Sequence, residues 1–153
     1  MSPPEMPLAR LFAIAFRSLM ERVHTQLQQR GYENVGSQFG YVLLAARDRA
    51  LTGNEVATLM GISKQAASKL IDAMESAQYL ERRAHTQDAR AKLLRITPQG
   101  KRLLATVEAI YAELEAEWAS VIGPGALRGM RTDLTRVLRA MHGGELPPVR
   151  PSS

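Results

Sequence analysis

LTGNEVATLMGISKQAASKLIDAMESAQYLERRAHTQDARAKLLRIT, residues 51–97, decides how the rest of the chain is read. Thr52 is followed three residues later by Glu55, a pair whose side chains satisfy each other's unpaired amides at a helix start. That helix is short. Val56, Leu59 and Met60 give it an apolar side before Gly61 stops it. Ser63 then offers a second N-cap, and the residues after it divide by face. Ala66, Ala67, Leu70, Ile71 and Met74 recur on the apolar side; Lys64, Gln65, Ser68, Lys69 and Asp72 recur on the polar side. Two helices joined by a tight Gly-containing turn, the second carrying long donor side chains, match the helix-turn-helix pattern used to read DNA.

The segment after the second helix is basic. Arg82, Arg83, Arg90, Lys92, Arg95, Lys101 and Arg102 face a single acid, Asp88. Leu80–Ala84 and Ala91–Ile96 have the length and residue types of two strands, and the polar run 85–90 between them suits a hairpin tip. Seen alone, such a run reads as a solvated charged face. Placed directly after a helix-turn-helix, it reads as a wing.

With these pieces in order, the stretch resembles the winged helix-turn-helix of MarR-type (multiple antibiotic resistance) transcriptional regulators. The residues that carry the resemblance are the LT-x-x-E-V-A start, the G-I-S turn, the L-E-R-R strand, D-x-R-x-K in the wing and T-P-Q-G at the next helix. They cover about a third of the chain, and their order and spacing are more specific than any one of them. Gln78 stands where such proteins usually carry Gly, and a left-handed residue there costs Gln more than Gly.

Outward from this block, Leu8, Leu11, Phe12, Ala15, Leu19, Val23 and Leu27 recur at helical spacing and predict an amphipathic helix ending near Gly31. Ser37 is a candidate cap for the next helix, which carries Tyr41, Val42, Leu44 and Ala45. On the other side, Thr97 and Pro98 suit a helix start. Leu104, Val107, Tyr111, Leu114, Trp118 and Val121 then step by three and four, the spacing of a seam against another helix. Gly123-Pro124-Gly125 ends that helix, and a last one carries Leu127, Met130, Leu134, Val137, Leu138 and Met141 before Gly143-Gly144.

The expected fold is therefore mainly α with a small β-hairpin wing: a winged helix-turn-helix core flanked by N- and C-terminal dimerisation helices. Residues 1–153 read as one domain, with the winged region at 37–97, dimerisation helices at 8–30 and 98–142, and flexible tails at 1–7 and 145–153. The flanking helices have more apolar surface than the central block can cover, so a homodimer is expected through Leu11, Leu19, Val107, Tyr111, Leu114, Trp118, Leu134 and Leu138. The resemblance implies the same.

The net charge of +5 points to an anionic partner, and double-stranded DNA is the partner expected. Candidate DNA contacts are Ser37, Ser63, Lys64, Gln65, Ser68, Lys69, Arg82, Arg83, His85, Asp88, Arg90 and Lys92. In the wing, Asp88 is read as orienting Arg90 for a narrow minor groove, a division of roles the resemblance also implies. Capping of the turn is the competing reading of Asp88. There is no Cys, which excludes disulfides and thiol-based oxidant sensing. No apolar run is long enough for a membrane span and no signal-peptide pattern is present, so the expected location is cytoplasmic. His24, His85 and His142 lie far apart, no phosphate-cradling glycine loop is present, and Glu113, Glu115 and Glu117 read as a solvated acidic face. Neither an enzyme nor a metal site nor a cofactor is expected. The resulting reading is a sequence-specific transcriptional regulator, a repressor acting as a homodimer on a pseudo-palindromic operator. The resemblance adds release by a small aromatic or phenolic effector, for which no pocket residues are assigned. The alternatives are a helical scaffold that binds protein and an architectural DNA-binding protein.

Overall fold

The computed structural model describes residues 4–84 and 92–151. Helices α1 (Leu8–Gln29), α2 (Phe39–Ala46), α3 (Gly53–Met60), α4 (Lys64–Ser76), α5 (Pro98–Ile122) and α6 (Pro124–Met141) alternate with strands β1 (Leu51–Thr52), β2 (Leu80–Ala84) and β3 (Lys92–Ile96). The strands form an antiparallel sheet in the order β1-β3-β2. β1 was not expected. Leu51 and Thr52 pair with Leu94 and Leu93 before Thr52 caps α3, so one residue serves both sheet and helix.

The start signals act as the residue types dictate. The Thr52 side chain accepts the Glu55 amide at 3.1 Å, and Glu55 Oε1 accepts the Thr52 amide at 3.1 Å. Leu51 before the cap and Val56 in the next turn are both buried, the arrangement of a hydrophobic staple. The Ser63 hydroxyl accepts the Ala66 amide, and the Thr97 hydroxyl accepts the Gly100 amide. α2 departs from the expectation. It begins after Gln38 with no side-chain cap, so Ser37 does not cap it, and it buries Phe39, Val42, Leu43 and Ala46. Of the expected set, Val42 is buried while Tyr41, Leu44 and Ala45 are only half-buried, because the helix meets the core on the neighbouring face.

A single apolar cluster runs from Val23 and Leu27 of α1 through α2, α3, α4 and the sheet to Leu103, Leu104, Val107, Ile110 and Leu114 of α5. Phe39 meets Tyr79 edge-on, with ring centroids 6.0 Å apart. Val107 and Leu114 therefore belong to the protomer's own core, which corrects their reading as partner-facing seam residues. α5 rotates this stripe inward because α1 and α2 both pack on it. Tyr111 and Val121, on the same heptad seam, stay exposed.

α6 has no buried residue at all, and Met130, Leu134, Val137 and Met141 lie open to solvent. The first half of α1 likewise exposes Leu8, Leu11, Phe12, Ile14 and Phe16. The acidic face of α5 is not free. Glu113 accepts from Arg30 and Glu117 from Arg22, each at 2.7 Å, and Glu115 pairs with Arg131 of α6. The pairs are exposed, so each contributes little to stability.

Candidate nucleic-acid interface

Four of the expected site residues, Lys64, Ser68, Arg82 and Lys92, converge on one hollow. Ser63 starts α4, and Lys64, Gln65, Ser68 and Lys69 all project to solvent from its first two turns, because Ala67, Ile71 and Met74 take the inward side. Ala66, expected on the apolar side, is exposed and shares this outward face. Beside α4 lies a cleft of about 270 Å³ lined by Gly53, Asn54, Lys64, Ser68, Ile71, Arg82, Lys92 and Leu94. Two helix starts and both wing strands thus meet in one basic hollow. Gly53 and Asn54 also line it, two residues that the reading of the sequence did not single out.

The order of elements explains the convergence. α4 ends in a Schellman turn: Tyr79 N–H donates to Met74 C=O and Gln78 N–H to Glu75 C=O, both at 2.9 Å. Gln78 takes the left-handed conformation, φ +67°, the position at which glycine would be least strained. The reversal is locked from the far end of the hairpin. The Thr97 hydroxyl donates to the Gln78 carbonyl at 2.6 Å, and Thr97 N–H donates to the Tyr79 carbonyl at 3.1 Å. Strand β2 is thereby returned along α4.

Not every candidate behaves as a free cation. Arg82 donates to Asp72 Oδ1 at 2.5 Å and lies 3.7 Å from Glu75 Oε1, both on α4. Arg83 donates to Glu81 of its own strand at 3.0 Å. Lys64, Lys69 and Lys92 take part in no ion pair among the described residues. Ser37 is exposed in the turn before α2 and does not line the cleft. His85, Asp88 and Arg90 lie outside the described residues. The Asp72–Glu75 pair, three residues apart on one helix face, was the available sequence signal for an arginine clamp; nothing in the sequence alone pointed it at Arg82.

A second hollow of about 270 Å³ lies between α1, α5 and α6, lined mainly by apolar side chains, among them Leu19, Trp118, Met130, Leu134 and Leu138, with Leu146 of the tail. It brings together five of the residues expected at the dimer interface: Leu19, Leu114, Trp118, Leu134 and Leu138. Leu11 and Tyr111 are exposed outside it. Among the described residues no cluster of His, Asp and Glu could hold a metal ion, and no helix is long and apolar enough to cross a membrane.

The MarR family model matches residues 39–91, which span α2 to the wing. Among curated proteins, none matches this sequence. Solved structures share the fold along most of the chain. A point variant of MepR from a multidrug-resistant Staphylococcus aureus isolate is 24% identical, with a TM-score of 0.67 over 91% of this chain and 100% of that one. A second S. aureus MepR variant, solved bound to an oligodeoxyribonucleotide, is 23% identical, with a TM-score of 0.62 over 90% and 100%. A point variant of Escherichia coli MarR is 18% identical, with a TM-score of 0.74 over 89% and 99%. Over residues 39–91 this chain is thus similar to the MarR family, and in fold it is similar along most of its length to solved winged helix-turn-helix proteins with flanking helices on both sides.

Proposed function

We propose that this protein represses transcription as a homodimer bound to a pseudo-palindromic operator, and that a small aromatic or phenolic effector releases it. The observation that carries the reading is the outward face of α4, where Lys64, Gln65, Ser68 and Lys69 stand clear of the core beside Lys92 of the wing. A helix with these donors at its exposed start fits the major groove, and a basic hairpin beside it fits the flanking minor groove. The MepR variant bound to an oligodeoxyribonucleotide supports DNA as the partner. Ser37, Ser63 and Arg83 are proposed as backbone contacts. His85, Asp88 and Arg90 are proposed at the tip, with Asp88 orienting Arg90. The exposed apolar faces of α1 and α6 support the homodimer.

Selection of bound duplexes from a random pool tests the reading. An inverted repeat with half-site centres about one helical turn apart, roughly 10 bp, is the expected product. Enrichment of no motif over random duplex would instead favour an architectural protein or a scaffold. Trp118 is the only tryptophan, so its fluorescence reports effector binding directly. Small phenols that quench it should also release the selected duplex.

A further inference from the structure

Among the basic residues of the cleft, Arg82 differs from its neighbours. Lys64, Ser68 and Lys92 are exposed, whereas the Arg82 side chain keeps only 31% of its surface in solvent. Its strand position is opposite Leu94, which is buried, so its stem lies over the sheet. Its guanidinium reaches back across the Gln78 turn to two carboxylates on the last turns of α4, Asp72 at 2.5 Å and Glu75 at 3.7 Å. Asp72 lies seven residues beyond Gln65 and three beyond Lys69, so these acids continue the exposed face that would meet DNA. Unpaired, they would repel phosphate. An arginine that already satisfies two carboxylates must abandon them to bind a phosphate, and the exchange of one anion for another returns little.

We infer that Arg82 is a positioning residue: it clamps the wing to α4 at a fixed angle and neutralises Asp72 and Glu75, and it does not itself bind phosphate. The inference rests on the DNA-binding reading above. Asp72 then favours binding although it is acidic, because it holds the strut in place.

The test uses the full chain, the selected duplex, and the variants Asp72→Asn, Arg82→Gln and their double. Asp72→Asn adds a net positive charge, yet it is expected to weaken binding on the order of three- to tenfold. Arg82→Gln is expected to weaken it by about tenfold or more, with the double variant no weaker than Arg82→Gln alone. In hydroxyl-radical footprints of Arg82→Gln, protection at the flanks should fade while protection within each half-site persists, a split that general loss of stability would not produce. Tighter binding by Asp72→Asn, or losses that simply add, would overturn the strut. Thermal melting of the DNA-free proteins reads the clamp separately: the double variant should melt roughly 1–3 °C higher than the sum of the two single shifts would give. Additive melting shifts would remove the clamp itself. Failure of the wild-type protein to bind any selected duplex would sink the regulatory function, leaving the clamp to be judged by the melting cycle.

Discussion

Gln78 carries the left-handed turn between α4 and β2, at φ +67°. A β-carbon in that region is strained, and no hydrogen bond of the Gln78 side chain offsets it among the described residues; its main-chain bonds to Glu75 and Thr97 survive substitution by glycine. Gln78→Gly should therefore stabilise the protein by roughly 0.5–1 kcal/mol in urea unfolding, and a destabilised variant would place the strain elsewhere. Gly100 shows the opposite case. A β-carbon there would lie 2.3 Å from the Tyr79 carbonyl oxygen, which is fixed by the Thr97 amide. Gly100→Ala should cost about 2–3 kcal/mol by the same measurement. Glu55 responds to pH. The Arg49 guanidinium at 2.5 Å, followed by the Thr52 amide, holds its carboxyl below the usual carboxylate range. A depressed carboxyl adds stability above its unfolded value and loses it as the pH falls through the folded one. Glu55→Gln should thus destabilise by about 0.5–1 kcal/mol at neutral pH, a modest figure because the group is well solvated, and the difference should vanish once acid has protonated the wild-type carboxyl.

At the scale of elements, α4 and the wing act as one unit held by the Gln78 turn, the Thr97 lock and Arg82. What remains outward on α4 after its apolar side is packed is a short donor face, and Gln65 lies near its start. Gln is suited to adenine in the major groove through paired donor and acceptor groups. Gln65→Ala should cost about 1–3 kcal/mol on the selected duplex and relax preference at one position in each half-site. Equal losses on selected and random duplex would show that Gln65 only holds the backbone.

At the scale of the molecule, the two classes of apolar residue on the long helices separate cleanly. Leu114 is 3% exposed and part of the core, so Leu114→Glu should unfold the protomer. Leu134 is 38% exposed on a helix with no buried residue. Leu134→Glu should leave the circular dichroism spectrum intact while sedimentation shows dissociation to monomers and site-specific binding is lost; a variant that stays dimeric would move the interface off α6. A dimer with three or four phosphate contacts per subunit would make about seven, each adding a slope near −0.9 in log K against log salt. Affinity should accordingly fall by thousands-fold between roughly 50 and 200 mM salt, and a flat response would rule out the electrostatic footing of the interface.

The helix starts at Thr52, Ser63 and Thr97, the strands from Leu80 and to Ile96, and the outward donors of α4 were legible because each depends on neighbours within four residues. Local hydrogen bonds and helical periodicity are properties of the chain itself. The two-residue strand β1, the inward turn of Val107 and Leu114, and the capture of Arg82 by Asp72 and Glu75 were not legible. Each depends on which distant element arrives alongside. A seam at heptad spacing specifies that something packs there, and only the packed positions of α1 and α2 decide that the first occupant of α5 is its own chain. An arginine in a basic run likewise specifies a charge, and only the return of β2 along α4 decides which anion that charge meets.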